Sequence, residues 1–264
     1  MSDYDCFAQL YHWEHRNFAD DLVLYRNFAL RCHAPGGAAS VLDVGCGSGR
    51  VALSLAADGI AVVGVDNSAA MLDLARAQAV ELGLSERVQF VEQDVVELAL
   101  EPQFAMALFA LNGFLHLTTV EAQRAALKNL FDVLLPGGFL LVDVPNPHTV
   151  FTAALDGQMM LRGRFASPEG VEIWCFQNAQ TDLAAQTQHL TLMYDRVLSP
   201  QAVQPAQIER TLAQTEVRFV YCCEMENLLT AAGFVVDNVY GSYDLDPYEA
   251  DSHQMLFVAY KPMV

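Results

Sequence analysis

The feature that most constrains the fold is a glycine-rich turn, Asp43-Val44-Gly45-Cys46-Gly47-Ser48-Gly49, which lies between two apolar runs. Residues 40–42 before the turn predict a β-strand, and residues 51–57 after it predict an α-helix. Three glycines allow positive φ angles and let a ligand come close to the backbone. The unpaired N–H groups at the start of a helix favour phosphate and nucleotide groups. The sequence therefore predicts a strand–turn–helix unit that binds a nucleotide.

Two carboxylates stand at the ends of the first two predicted strands. Asp43 precedes the turn, and Asp66 follows the strand predicted over 60–65. A buried Asp43 needs a donor or a cation as its partner, and Asp66 suits the two hydroxyls of a ribose. The spacing departs from the dinucleotide fingerprint G-x-G-x-x-G, because Gly49 comes one place early and Arg50 follows it. An NAD-dependent oxidoreductase would share the turn and Asp66 but would leave Asp43 unexplained.

Strand and helix patterns alternate over residues 41–144, which predicts an α/β fold with a doubly wound, mostly parallel sheet. A short helix over 224–232 and two final strands would complete that sheet. The seven predicted strands cover residues 40–42, 60–65, 87–91, 104–111, 139–144, 234–240 and 255–260.

Two parts of the chain lie outside this core. Residues 4–31 are predicted to be helical, with an apolar stripe on one face. Residues 146–221 contain three strand-like runs and predict a small antiparallel sheet, because a structureless loop of that length is improbable in a compact domain. We predict a single domain over 1–264, with an N-terminal helical lid over 1–38 and an inserted antiparallel β subdomain over 146–221.

The turn, Asp43 and Asp66 together resemble the class I S-adenosylmethionine-dependent methyltransferases. Residues 135–138, Leu-Pro-Gly-Gly, form a turn that recurs in this family before the fifth strand. Residues 111–117 resemble the Asn-Ser-Phe-x-His-Leu stretch of small-molecule members similar to glycine and amino-sugar N-methyltransferases, with Gly113 in place of the serine. The resemblance implies a Rossmann-like seven-stranded sheet whose last strand runs antiparallel between the fifth and sixth, and S-adenosylmethionine as the cofactor.

The resemblance also implies a cofactor site along the carboxyl ends of the strands. Asp43 would face the methionyl ammonium, and Asp66 the ribose. Asp94 would accept from the adenine amino group, with the N–H of Val95 on a ring nitrogen and Met71 over the ring. Alternatively, Asp94 caps the following turn and Met71 is a core residue. The predicted cofactor-binding residues are Tyr11, Asp43, Gly45, Cys46, Gly47, Gly49, Asp66, Asn67, Met71, Asp94, Val95 and Leu111.

Asn112 and His116 are the residues predicted to lie beside the transferred methyl group. Asn112 would hold the amino-acid part of the cofactor or the acceptor, and His116 would order its loop or accept a proton. Arg164, Trp174 and Tyr194 of the insert are expected to roof the acceptor pocket together with the N-terminal segment, in which Tyr4, Tyr11, His12 and Trp13 would form a lid. The insert could instead form a dimer surface. The six cysteines have no metal-ligand spacing, so no metal is predicted.

The formal charge of −18 disfavours nucleic acid or an anionic membrane as the partner. No apolar stretch reaches the ~20 residues of a membrane helix, and the first residues do not resemble a signal peptide. We therefore expect a cytoplasmic monomer or homodimer that methylates a small-molecule acceptor, with nitrogen favoured over oxygen. A cofactor-binding scaffold without catalysis and the NAD-dependent oxidoreductase are the alternatives.

Overall fold

The computed structural model describes residues 2–32, 40–101, 104–150, 156–198 and 207–263. The helices are α1 (Ala8–His15), α2 (Leu22–Arg31), α3 (Arg50–Ala57), α4 (Ala69–Glu81), α5 (Val120–Val133), α6 (Pro147–Val150) and α7 (Cys222–Ala231). The strands are β1 (Ser40–Val44), β2 (Val62–Asp66), β3 (Val88–Glu92), β4 (Phe104–Phe109), β5 (Leu134–Pro145), β6 (Met159–Ala166), β7 (Glu172–Asp182), β8 (Thr187–Val197), β9 (Ile208–Arg218), β10 (Val235–Tyr240) and β11 (Gln254–Tyr260). Short 3₁₀ turns cover Asp3–Cys6, Val95–Glu97 and Gly113–His116.

Seven strands form one mostly parallel sheet in the order β10-β11-β5-β4-β1-β2-β3. Strand β11 runs antiparallel to both of its neighbours, β5 and β10, as the sequence predicts. All six residues of β4 are buried, because helices cover both faces of the sheet. The strand order reverses between β1 and β4, and in open α/β sheets such a reversal opens a crevice at the carboxyl ends. The predicted α/β fold is confirmed.

Local capping fixes where two of the helices begin. The Ser68 hydroxyl accepts from the Met71 amide at 3.2 Å at the start of α4. The Thr119 hydroxyl accepts from the Ala122 amide at 3.1 Å at the start of α5. Each bond satisfies an amide that the first turn of a helix leaves unpaired. The ligand-facing end of α4 is thereby held in place beside Asp66.

The prediction of one helical segment over 4–31 is wrong, because α1 and α2 are separated by residues 16–21. Asp21 is fully buried, and its two carboxylate oxygens accept from Arg50 at 2.6 Å each. Arg50 also donates to the carbonyl of Phe18 at 3.0 Å. The chain therefore folds around the guanidinium at this point instead of continuing as a helix.

The chain between α6 and α7 forms a second, four-stranded antiparallel sheet in the order β6-β7-β8-β9. The runs predicted over 170–178, 188–198 and 209–220 correspond to β7, β8 and β9. Strand β6 was not predicted, because most of its side chains are exposed and its sequence lacks a clear alternation. Residues 1 and 33–38 of the predicted lid, and 151–155 and 199–206 of the predicted insert, lie outside the described residues.

Helix α1 packs on one face of this second sheet. Phe7 and Leu10 form an apolar cluster with residues of β7, β8 and β9. At the edge of the cluster the Tyr194 hydroxyl donates to Glu14 at 2.8 Å, and Arg162 forms an ion pair with Glu14 at 2.9 Å. The N-terminal segment and the insert therefore form one layer. None of the helices within the described ranges has the length and apolarity of a bilayer-spanning segment.

Candidate active site

A cleft of about 600 Å³ opens at the carboxyl ends of the central strands. The glycine turn, the ends of β2 and β3 and the loop after β4 form its floor, and the N-terminal segment and β9 contribute its opposite wall. Twelve of the fourteen predicted site residues line it, and these are Tyr11, Asp43, Gly45, Cys46, Gly47, Asp66, Asn67, Met71, Asp94, Val95, Leu111 and His116.

The glycine turn presents open backbone to the cleft. Gly45 and Gly47 have φ angles of +65° and +54°, which favour glycine. A Cβ built on either residue would meet no atom of the described chain within 4 Å. The amides of Gly45 and Cys46 both donate to the carbonyl of Val65, at 2.8 and 3.1 Å. The turn is thus fastened to β2, while the space above these two glycines is left for a ligand.

Asp66 connects the turn to the start of α4. One carboxylate oxygen accepts from the Gly47 amide and the other from the Ser68 amide, both at 2.8 Å. Burial raises the pKa of Asp66, and these backbone hydrogen bonds act in the opposite direction. The carboxylate lines the cleft while held from both sides, so it is oriented before any ligand binds.

Asp43 is a buried carboxylate at the end of β1. Its Oδ2 accepts from the Ala52 amide in α3 at 3.0 Å, and only 1% of the residue is exposed. Burial raises the pKa of Asp43 to about 7, whereas nearby Arg50 acts to lower it. A cation arriving in the cleft would favour the ionised carboxylate. The structure is therefore compatible with the expected pairing of Asp43 with an ammonium group.

Two predicted residues do not line the cleft in the described structure. Gly49 begins α3 with a φ of +84°, and a Cβ there would lie 3.0 Å from Phe90 and 3.1 Å from Ala75. Its position is set by close helix–strand packing, not by contact with a ligand. Asn112 precedes the Gly113–His116 turn with a φ of +66°. Of the two residues predicted to be catalytic, His116 lines the cleft and Asn112 does not.

A buried acid holds this turn in place. Leu111 and Asn112 have consecutive positive φ angles of 47° and 66°, an unfavourable conformation for two residues with side chains. The Asp143 carboxylate accepts from the Leu111 amide at 3.2 Å and from the Tyr243 hydroxyl at 2.8 Å. The Asn112 amide donates to the Asp143 carbonyl at 3.2 Å. Burial raises the pKa of Asp143 to about 6.

Residues at the ends of β2 and β3 line the same side of the cleft as Asp66. Met71 is 1% exposed, so it is a core residue that also borders the cleft. Asp94 accepts from the Val96 amide at 2.9 Å, which makes it the cap of the following 3₁₀ turn. The geometry is therefore compatible with Met71 as an adenine contact or a core residue, and with Asp94 as an adenine acceptor or a turn cap.

A tyrosine–histidine pair also lines the cleft. The Tyr4 hydroxyl and His116 Nε2 are 3.0 Å apart, and their rings meet edge to face. Burial lowers the pKa of His116 to about 4 and raises that of Tyr4 well above its usual value. Both side chains are therefore neutral at pH 7. The pair joins the N-terminal segment to the loop after β4.

Further contacts fix the N-terminal segment over the cleft. His12 Nδ1 lies 3.0 Å from the Ser48 hydroxyl, and the Ser68 hydroxyl donates to Asp5 at 2.7 Å. Arg16 lines the cleft and donates to the carbonyl of Ala166, and within the described ranges it forms no ion pair. Sequence reasoning missed Arg16, although a cation within a predicted lid of so acidic a chain was an available signal.

The insert contributes different residues from those predicted. Arg164 stacks on Trp174 at 4.0 Å and Tyr194 is buried against Glu14, so among the described residues this trio does not line the cleft. Thr215 and Glu216 of β9 line it instead. Arg164 and Trp174 pack on each other within the insert, whereas Tyr194 packs against the N-terminal segment.

The chain is similar to known methyltransferases. Residues 41–138 match the methyltransferase domain family. Cypemycin N-terminal methyltransferase from a Streptomyces species is 29% identical over 226 residues, which cover 86% of this chain and 84% of that protein. Other curated methyltransferases match over less than half of their own length.

Solved structures with the same fold extend over the whole chain. The CcbJ methyltransferase from Streptomyces caelestis has a TM-score of 0.80 at 22% identity and covers 100% of both chains. CalS10, an amino pentose methyltransferase from Micromonospora echinaspora solved with S-adenosylmethionine, has a TM-score of 0.69 at 20% identity, covering 99% of this chain and 97% of that one.

The family match, the curated relatives and the solved structures agree with the resemblance to the class I S-adenosylmethionine-dependent methyltransferases. It is an enzyme whose cofactor is S-adenosylmethionine, as the sequence predicts. These findings disfavour the two alternatives, an NAD-dependent oxidoreductase and a cofactor-binding scaffold without catalysis.

Proposed function

We propose that the cleft holds S-adenosylmethionine along the glycine turn and transfers its methyl group to the nitrogen of a small-molecule amine. The observation that carries this proposal is the continuity of the cleft. Asp66, the open glycine backbone and the Tyr4–His116 pair all line this one cleft.

The nucleoside end of the proposed site uses residues that are already oriented. Asp66 would accept from the ribose hydroxyls, and Asp94 and Val95 would meet the adenine edge. The open space above Gly45 and Gly47 supports this placement, because any larger residue would fill it. Asn67, Cys46 and Met71 would complete this subsite.

Two oppositely charged residues of the cleft support a position for the amino-acid part of the cofactor. Asp43 would face the ammonium group, and Arg16 would face the carboxylate. Arg50 is an unsuitable partner for the carboxylate, since Asp21 already holds it through two hydrogen bonds of 2.6 Å. Tyr11 and Leu111 would border the sulfonium.

Methyl transfer to the acceptor requires correct orientation of the acceptor more than it requires proton transfer. The cofactor supplies an activated methyl group, so the protein must align the acceptor and exclude water. Desolvation lowers the pKa of His116, so the ring is neutral at pH 7, and its Nε2 lies within hydrogen-bond distance of the Tyr4 hydroxyl. We therefore assign His116 to ordering the loop through Tyr4. Asn112 would contact neither cofactor nor acceptor and would act only by supporting the Gly113–His116 turn.

Two observations favour nitrogen as the acceptor. A relative that aligns over most of this chain is named an N-terminal methyltransferase, and an N-terminus is an amine. The net charge of −18 favours an amine over an anionic acceptor. The insert and the N-terminal lid would enclose the acceptor, and no part of the proposal requires a metal, a nucleic acid or a membrane.

We expect the protein to convert S-adenosylmethionine to S-adenosylhomocysteine in the presence of primary and secondary amines, but not with the matched alcohols. The measurement is product formation by mass spectrometry over an amine panel and an alcohol panel of equal size. The Asp66→Ala variant controls for background methylation. Methylation of alcohols alone would overturn the choice of nitrogen, and methylation of neither panel would overturn the small-molecule acceptor.

A further inference from the structure

Thr215 is a polar residue in an apolar row. On β9 its neighbours on the same face are Ala213 and Val217, which are 3% and 6% exposed. Its cross-strand partner is Leu190 of β8. Valine has nearly the same shape as threonine and would pack in this row without burying a hydroxyl. The hydroxyl therefore needs a reason other than packing.

The structure leaves this hydroxyl available. Thr215 is only 4% exposed and lines the cleft. Throughout the described part of the chain, the Thr215 side chain makes no hydrogen bond, although its backbone pairs with β8. The hydroxyl oxygen is not one of the solvent-inaccessible, unpaired atoms of the described residues, so it opens into the cleft and can bond to a molecule that enters there.

The position of β9 indicates which ligand that is. The strand contacts both the Asp3–Cys6 turn, which carries Tyr4, and the Gly113–His116 turn, which carries His116. Thr215 therefore belongs to a strand that packs against both of these turns, and it lines the same cleft as Tyr4 and His116. The residues expected to hold the nucleoside, Asp66 and Asp94, belong to β2 and the turn after β3.

We propose that Thr215 determines acceptor specificity by hydrogen-bonding a hydroxyl group that the acceptor carries next to its reacting nitrogen. This inference rests on the proposed amine methylation. A threonine hydroxyl is neutral and can both donate and accept, which suits another hydroxyl better than a charged group. The acceptor class is thus an amino alcohol in the broad sense, in which amine and hydroxyl stand on neighbouring carbons.

The test uses two probes that differ by one hydroxyl, trans-2-aminocyclohexanol and cyclohexylamine. We expect wild-type protein to methylate the amino alcohol with the higher kcat/KM. In Thr215→Val this preference should fall by about tenfold, as expected for loss of one hydrogen bond, chiefly through KM. Turnover of cyclohexylamine should change by less than about twofold, since it lacks the group that the hydroxyl would bind.

Three controls separate recognition from folding. Thr215→Ser should restore the preference, because serine keeps the hydroxyl. Thr191→Val makes the same exchange on β8, outside the described cleft lining, and should leave kinetics unchanged. The affinity for S-adenosylhomocysteine, measured by calorimetry, should be the same in all three variants.

The inference is overturned if Thr215→Val affects both probes equally, if it weakens S-adenosylhomocysteine binding instead, or if other amines are methylated while amino alcohols are not. A wild-type protein that methylates no amine at all would overturn the proposed function, and this inference with it.

Discussion

Replacing Gly47 with alanine is expected to weaken S-adenosylhomocysteine binding by about 10- to 100-fold, which corresponds to the ~1–3 kcal/mol cost of overpacking a fitted site. The new methyl group would enter the space above the turn, where no atom of the described chain lies within 4 Å. The Gly47 amide also donates to Asp66 at 2.8 Å, so a shift of the turn would disturb the ribose acceptor as well. Calorimetric titration measures the change in affinity directly.

Gly59→Ala provides the matched control for this variant. Gly59 has a φ of +85° and, like Gly47, an unobstructed Cβ position with respect to the described atoms. It follows α3, away from the described cleft lining. Both alanines should cost ~1–2 kcal/mol of folding stability, because each imposes a left-handed conformation on a residue with a side chain. Equal cofactor affinity in the two variants would show that no ligand lies against Gly47.

Replacing Asp66 with alanine is expected to reduce cofactor affinity by about 10- to 100-fold, because a charged hydrogen-bond acceptor for the ribose contributes ~1.5–3 kcal/mol. The melting temperature should fall as well, since the Gly47 and Ser68 amides lose their acceptor. Asp66→Asn retains one oxygen acceptor and should lie between wild type and Asp66→Ala in affinity.

The control for Asp66→Ala is Asp73→Ala on the exposed surface of α4. The Asp73 side chain is 76% exposed and pairs only with Arg76 one turn along the helix. A surface pair of this kind contributes little to stability. Cofactor affinity should therefore be unchanged in Asp73→Ala. If Asp66→Ala bound as tightly as Asp73→Ala, the ribose would have to lie elsewhere.

Much of the fold could be predicted because its signals are local. Apolar runs, helix-capping residues and glycine turns alternate over residues 41–144, and Ser68 and Thr119 cap helices α4 and α5 in the structure. Asp43 and Asp66 could be placed in the site because strand ends in a parallel sheet meet at one edge. Such features depend on neighbours in sequence or on a general rule of topology.

The errors concern contacts between residues distant in sequence. The break between α1 and α2 depends on Asp21 meeting Arg50, and the role of Gly49 depends on packing against Phe90. Thr215 was overlooked because its importance depends on β9 lying beside Tyr4. Arg164, Trp174 and Tyr194 of the insert were predicted in its place, although the first two pack on each other and Tyr194 packs against the N-terminal segment.

A crystal structure of the protein with S-adenosylhomocysteine tests the proposed site most directly. We expect the Asp66 carboxylate within hydrogen-bond distance of both ribose hydroxyls, with the adenine beside Asp94 and Met71. The sulfur should face the end of the cleft that holds Leu111 and the Tyr4–His116 pair. A ribose remote from Asp66, or a sulfur that faces away from His116, would contradict the site described here.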